Sequence, residues 1–179
     1  FNRLTGTRAA LVSDLPGLTR YRKQGEADFA GHKISLIDTA GLEVAAAGSI
    51  ADRMRKQTEA GIAAADLVLF VIDARAGVTA TDETLARTIR ASGRPVVLVA
   101  NKSEGRSSDE GFYEAFRLGL GEPVAISAEH GLGLVDLERD ALAALGLKPK
   151  SRTKGEDGSE GGETQKPLRV AIVGRPNAG

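Results

Sequence analysis

The sequence predicts a doubly wound α/β fold with a mostly parallel sheet, and three observations predict it. Short apolar runs alternate with helix-periodic stretches along the first 146 residues. The runs at 67–72 and 96–100 are apolar on both faces, as strands covered by helices on both sides are. Each of the main runs stops on a polar residue, at the strand end where such sheets keep their ligands.

Taken in order, Phe1, Asn2, Arg3 and Leu4 lead to Gly6, the pattern of a last helical turn closed by glycine. Residues 26–37 give two strand-like runs that meet near Gly31 and His32, the second ending at Asp38. Residues 49–65 read as a helix, with Ile50, Met54 and Ile62 roughly on one face. The strand at 67–72 follows. Thr79 and Asp82 then form a capping box for a helix that buries Leu85 and Ile89 and stops near Gly93 and Pro95. The strand at 96–100 ends on Asn101, and a helix carrying Phe112 and Phe116 comes next. Residues 124–126 form a strand ending on Ser127, and a last helix carries Leu137, Ala141 and Leu145. Residues 148–166 contain no aliphatic or aromatic side chain, so they are expected to form a disordered linker. An apolar run at 168–173 then feeds the glycine turn Gly174, Arg175, Pro176, Asn177, Ala178 and Gly179.

Composition narrows the function classes. Hydrophobic residues make up 41% and charged residues 27%, close to packed globular chains. Lys and Arg number 24 and Asp and Glu number 24, so no overall field draws the chain to nucleic acid or anionic membrane. The absence of cysteine excludes a disulfide framework and a thiolate metal site and fits a reducing, cytoplasmic location. The apolar run between Asp66 and Asp73 falls far short of the roughly 20 residues that cross a bilayer, and no signal peptide opens the sequence. His32 and His130 lack a paired acid in sequence and are expected to be solvated. The basic group Arg20, Arg22 and Lys23, with Arg53, Arg55 and Lys56, could meet RNA, but acidic neighbours of the second set favour a solvated face.

The strand-end residues carry the chemistry. Asp38-Thr39-Ala40-Gly41-Leu42, Asn101-Lys102-Ser103-Glu104 and Ser127-Ala128 each follow a strand pattern. Asp38 offers a carboxylate to a phosphate-bound Mg²⁺, and Thr19 a hydroxyl and carbonyl to the same ion. Gly41, without a side chain, lets its backbone N–H approach a terminal phosphate. Glu104 can accept two hydrogen bonds from one edge of guanine, an arrangement adenine does not offer.

This set resembles the translation-factor branch of P-loop GTPases and, more narrowly, the Der (EngA) family of bacterial GTPases with two tandem G domains. The resemblance rests on Pro16-Gly17-Leu18-Thr19-Arg20, Asp38 to Leu42, Val71-Ile72-Asp73-Ala74-Arg75-Ala76-Gly77, Asn101-Lys102 and the terminal Gly174 to Gly179. It implies a first G domain over residues 1–146, a flexible acidic linker over 147–167 and the first strand and phosphate turn of a second G domain over 168–179. It also implies binding of GTP and GDP, hydrolysis of GTP in the intact protein, and a role in large ribosomal subunit assembly. Asp38 to Leu42 would meet phosphate and Mg²⁺, Thr19 would be the switch threonine, and Asn101 to Glu104 with Ser127 and Ala128 would hold guanine. Leu42 stands where other GTPases place a glutamine, and the resemblance implies a K⁺ ion instead, held partly by a phosphate-loop asparagine that Asn177 matches in the second domain and whose first-domain counterpart is not in this sequence. Glu104 departs from the usual Asp and Tyr21 from the usual acidic residue. The alternative function is a degenerate G domain that serves as a nucleotide-independent docking module. The first phosphate loop should precede Phe1, so the 179 residues alone are expected to be inactive. The strand at 168–173 is expected to fill the vacant slot of that loop's strand, within the chain or between copies.

Overall fold

The structure is a computed structural model, and it describes residues 1–6, 11–12, 23–39, 50–150, 167–175, 177 and 178. Its sheet is built from β1 (Leu11–Val12), β2 (Lys23–Phe29), β3 (His32–Asp38), β4 (Leu67–Asp73), β5 (Val96–Asn101), β6 (Val124–Ala125) and β7 (Leu168–Gly174). The strand order is β1-β2-β3-β7-β4-β5-β6. Pairings among β3, β7, β4, β5 and β6 are parallel, while the hairpin β2–β3 and the short β1 are antiparallel. The hairpin turns at Ala30 and Gly31, both with positive φ, and Asp28 Oδ1 accepts the Gly31 N–H at 2.8 Å.

Helices α1 (Asn2–Thr5), α2 (Ile50–Ala64), α3 (Ala80–Ser92), α4 (Asp109–Ala115) and α5 (Leu134–Ala144) flank the sheet. The expected capping box is present: Thr79 accepts the Asp82 N–H, and Asp82 in turn accepts the Thr79 N–H at 2.9 Å. The expected Phe112–Phe116 helix is shorter than its pattern. It ends at Ala115 and tightens into a 3₁₀ turn over Phe116–Leu118, closed by Gly119 in the left-handed region.

Strand periodicity sorts the core into two layers. Leu67, Leu69 and Val71 of β4 join Val170 and Ile172 of β7 and pack with Leu137, Ala141 and Leu142 of α5. The alternate residues Val68, Phe70 and Ile72 join Ala171 and Val173 and meet Ile62 of α2, Ala86 and Ile89 of α3, and Ala115. Both faces of β4 are therefore sealed, which is why its run carries no polar interruption.

The last strand enters the middle of the sheet. β7 lies parallel to both neighbours, with Leu36 opposite Val170 and Leu69 opposite Ile172, in the slot its sequence was expected to fill. Its backbone groups supply the partners that β3 and β4 would otherwise lack. Two expectations change. His32 is buried rather than solvated, and its Nε2 lies 2.9 Å from the Lys148 carbonyl. The Lys150 N–H also donates to the Ala30 carbonyl at 2.9 Å, so residues 147–150 are bound to the domain rather than free. Leu147 explains this, since it packs against the core and carries the next residues over the hairpin. The remainder of the linker, 151–166, lies outside the described residues, as do Thr19, Arg20, Tyr21 and Arg22. Of the basic group Lys56 is exposed, and the side chains of Arg20, Arg22, Lys23, Arg53 and Arg55 lie outside the described residues. Among the described residues no helix is long and apolar enough to cross a membrane.

Candidate functional site

Because β3, β7, β4, β5 and β6 run in one direction, their carboxyl ends open on one edge of the sheet. Asp38, Gly174, Asp73, Asn101 and the segment 126–128 all arrive there. Gly174 must be glycine for contact reasons: a Cβ on it would stand 2.5 Å from the Val71 carbonyl oxygen.

Asn101 is the hub. It is buried at 3% exposure, its Nδ2 donates to the Ala178 carbonyl at 2.8 Å, and its Oδ1 accepts the Ala128 N–H at 2.9 Å. One side chain thus ties the turn after β7 to the loop after β6. A second Nδ2 hydrogen remains for a ligand acceptor, since a carboxamide carries two donors.

Lys102 sits in the left-handed region at φ 64, a conformation that costs a non-glycine residue free energy and is seen where the fold fixes it. Its Nζ donates to Asp73 Oδ2 at 2.7 Å and to the Asn177 carbonyl at 2.6 Å. Asp73 also accepts the Arg75 N–H at 3.0 Å and the Ala76 N–H at 3.3 Å. Burial opposes ionisation of Asp73, but the Lys102 ammonium and these two N–H groups outweigh it and hold the carboxyl below its ordinary value. Ser103 is a loop brace: its N–H donates to the Ile126 carbonyl at 2.9 Å and its hydroxyl to the Ala100 carbonyl at 2.8 Å.

Glu104 faces the same edge. Its Oε1 pairs with the Arg75 guanidinium, its Oε2 is buried, and the Ser127 hydroxyl hydrogen-bonds to the carboxyl. The Ser127 hydroxyl is the largest influence on this carboxyl and lowers its pKa, with Arg75 and His130 acting in the same direction against a desolvation penalty. Ser127 is buried, and its hydroxyl accepts the His130 N–H at 3.3 Å. His130 is exposed, as expected, but it does have acidic company in Glu104 and Glu129. The Ala128 carbonyl accepts Arg3 Nε at 2.9 Å, so the first helix braces this loop from outside.

On the phosphate side, Asp38 closes β3 opposite Ile172. Thr39 is buried, and its hydroxyl donates to the Ile172 carbonyl at 2.7 Å, which commits that donor to the sheet. Ala40, Gly41 and Leu42 lie outside the described residues, as do Pro176 and Gly179. Arg175 turns toward the start of α3, with Nε 3.9 Å from Asp82 Oδ2. Asn177 is left-handed at φ 65, and the buried Ala178 closes the turn by donating its N–H to the Arg175 carbonyl at 3.2 Å.

The structure therefore brings together the expected Asn101, Lys102, Glu104, Ser127, Ala128, Asn177 and Ala178. Sequence reasoning gave no role to Asp73, Arg75 or Arg3. The first two were within reach of the strand-end rule, because they follow the apolar run of β4 just as Asn101 follows that of β5. Nothing local marks Arg3.

Comparisons with known proteins give the family and the fold. The family described as 50S ribosome-binding GTPase matches residues 1–102. GTPase Der of Rhizobium johnstonii is 53% identical over 196 residues, covering 100% of this chain and 41% of that protein. GTPase Der of Brucella suis is 51% identical over 206 residues, covering 100% of this chain and 42% of its own length. The chain thus spans well under half the length of these relatives. Among solved structures, Aquifex aeolicus Era bound to GDP and aluminium fluoride superposes with a TM-score of 0.62 at 27% identity, over 84% of this chain and 52% of that one. The cytosolic domain of T. maritima FeoB in a GDP form gives 0.61 at 27% identity, over 83% of this chain and 58% of that one.

Proposed function

Because the chain belongs to the family of 50S ribosome-binding GTPases, we propose that the intact protein binds GTP and GDP and hydrolyses GTP to GDP and phosphate. Large ribosomal subunit assembly is the setting that the family's description supports. The observation that carries the nucleotide reading is the Asn101 amide, which fastens the Ala128 loop to the Ala178 turn and keeps one N–H for a base acceptor.

Guanine would lie in the edge formed by Asn101, Lys102, Glu104, Ser127 and Ala128. Glu104 is ionised at neutral pH and accepts from the ring N–H and the 2-amino group, which adenine does not present together. Asp38, a hard oxygen donor at the end of β3, suits a Mg²⁺ ion carried by the phosphates, with Thr19 as its second partner by resemblance. Such an ion supplies positive charge against the charge that develops on the phosphates. A K⁺ ion near the phosphates would take the place of the glutamine that Leu42 replaces, held partly by the first domain's own phosphate-loop asparagine, which Asn177 matches in the second domain. In the parent we assign residues 1–146 to the first G domain, 147–167 to the linker and 168–179 to the start of a second G domain, with the whole in the cytoplasm.

The test is titration of the intact protein with fluorescent GTP, GDP and ATP. GTP and GDP are expected to bind far more tightly than ATP, and Glu104→Ala to weaken GTP at least about tenfold, the loss of one charged hydrogen bond or more. Equal affinity for ATP, or an Ala variant with unchanged GTP binding, would reject guanine recognition. Absence of all nucleotide binding would instead support a docking module.

A further inference from the structure

We propose that Arg75 is a positioning residue for guanine recognition: it holds Oε1 of Glu104 so that Oε2 is presented to the base. The inference rests on the reading of Glu104 as the guanine acceptor and extends it to a residue on a different strand.

Three observations carry it. Arg75 is itself fixed, because its N–H donates to Asp73 Oδ1 at 3.0 Å and Asp73 is bound in turn to Lys102 at 2.7 Å. The loop after β4 and the loop after β5 are thereby joined by two ion pairs, Asp73–Lys102 and Arg75–Glu104. Next, the two carboxylate oxygens of Glu104 are unequal. Oε1 is taken by the guanidinium, whereas Oε2 is shielded from solvent, and the Ser127 hydroxyl hydrogen-bonds to the carboxyl beside it. An ionised carboxylate accepts more donors than these two side chains supply, so a ligand N–H can be added to the ones already there. Finally, the Arg75 side chain is 48% exposed and that of Glu104 17%. With its guanidinium half open to water the pair adds little to folding stability, so its main effect is on where the carboxylate points.

The length of Glu104 makes that effect consequential. A glutamate has one more rotatable bond than an aspartate, and on a loop it spreads over more rotamers when unheld. Fixing one oxygen removes that freedom before the nucleotide arrives, which favours binding without adding a contact to the ligand. The contact is a single one from Arg75 Nη2 to Oε1, which the planar guanidinium gives a direction, whereas a lysine at the same place acts as a point charge.

The experiment measures affinities of the intact protein for GTP, ITP and ATP in Arg75→Ala, Arg75→Lys and Glu104→Gln variants. ITP carries hypoxanthine, which keeps the ring N–H and lacks the 2-amino group, so the GTP-to-ITP ratio reports the aim of the carboxylate. Arg75→Ala is expected to weaken GTP about threefold to tenfold and to weaken ITP less, narrowing the ratio. Arg75→Lys should restore part of it, and Arg75→Ala should add nothing in a Glu104→Gln background. Should the alanine variant not fold, as judged by its thermal transition, Arg75→Gln takes its place with the same expectation. If the Arg75 variants leave the ratio unchanged while Glu104→Gln narrows it, the positioning role is rejected and the guanine reading stands. If Glu104→Gln also leaves it unchanged, both are rejected.

Discussion

Asn101→Ala would expose how far the site and the fold are one structure. The substitution removes the bond from Nδ2 to the Ala178 carbonyl at 2.8 Å and the bond from the Ala128 N–H to Oδ1 at 2.9 Å. Each is worth about 0.5 to 1.5 kcal/mol net, and each orphaned backbone group that stays buried costs about 1 to 3 kcal/mol. Ala178 is 1% exposed, so its carbonyl finds no water in place of the amide, while the half-buried Ala128 N–H recovers some. The expected loss is about 2 to 4 kcal/mol, a large part of the roughly 5 to 15 kcal/mol that holds a domain together. Urea unfolding followed by circular dichroism should show the midpoint falling by about 1 M or more with an unchanged slope. Asn101→Asp keeps the acceptor for Ala128 but sets a carboxylate oxygen against the Ala178 carbonyl, so it should be no more stable than the alanine variant. Amide exchange adds a local readout, since the Ala128 N–H should lose protection in Asn101→Ala. A midpoint within about 0.2 M of the parent would refute the idea that this side chain fastens the two loops.

Three further outcomes are expected. Val170→Asp places a carboxylate at a fully buried position of β7 between β3 and β4 and should cost about 3 to 5 kcal/mol; unchanged urea unfolding would mean that β7 does not occupy the slot. Gly111→Ala would set a methyl 2.1 Å from the Ala74 carbonyl oxygen, forcing α4 away from the loop after β4, and should lower the thermal midpoint by several degrees. Asp73 ionises more readily folded than unfolded, so its contribution is complete above its ordinary value of 3.8 and is lost as pH falls through the lower folded value. Asp73→Asn should therefore flatten the acid end of the stability profile, and an identical profile in the two proteins would count against the Lys102–Asp73 pair.

What the sequence made legible follows from how local each signal is. The buried strands were readable because burial on both faces forbids polar residues, and the start of α3 because Thr79 and Asp82 satisfy each other within a single turn. The candidate site residues were marked by their place after such strands. What could not be read was the set of long-range partners. His32 meets Lys148, 116 positions away, and Arg3 meets Ala128, 125 positions away, with no periodicity or composition linking them. Arg75 was visible at a strand end, yet its partner Glu104 lies at the end of a different strand. The short α4 also escaped, because the apolar spacing of Phe112 and Phe116 says nothing of where a 3₁₀ turn takes over.

The long-range bonds at the carboxyl edge of the sheet run between the ends of different strands rather than within one loop. Asp73 to Lys102, Asn101 to Ala128 and to Ala178, Lys102 to Asn177 and Arg75 to Glu104 link the ends of β4, β5, β6 and β7 into one network. Loops that hold one another in this way lose little further freedom when a ligand enters, so less of the binding free energy is consumed in ordering them. The same network spans the carboxyl edge of the sheet. Glu104 is held by Arg75, Arg75 by Asp73 and Asp73 by Lys102, whose other partner is the Asn177 carbonyl in the turn after β7, so hydrogen bonds to charged groups run without a break from the loop after β5 to that turn.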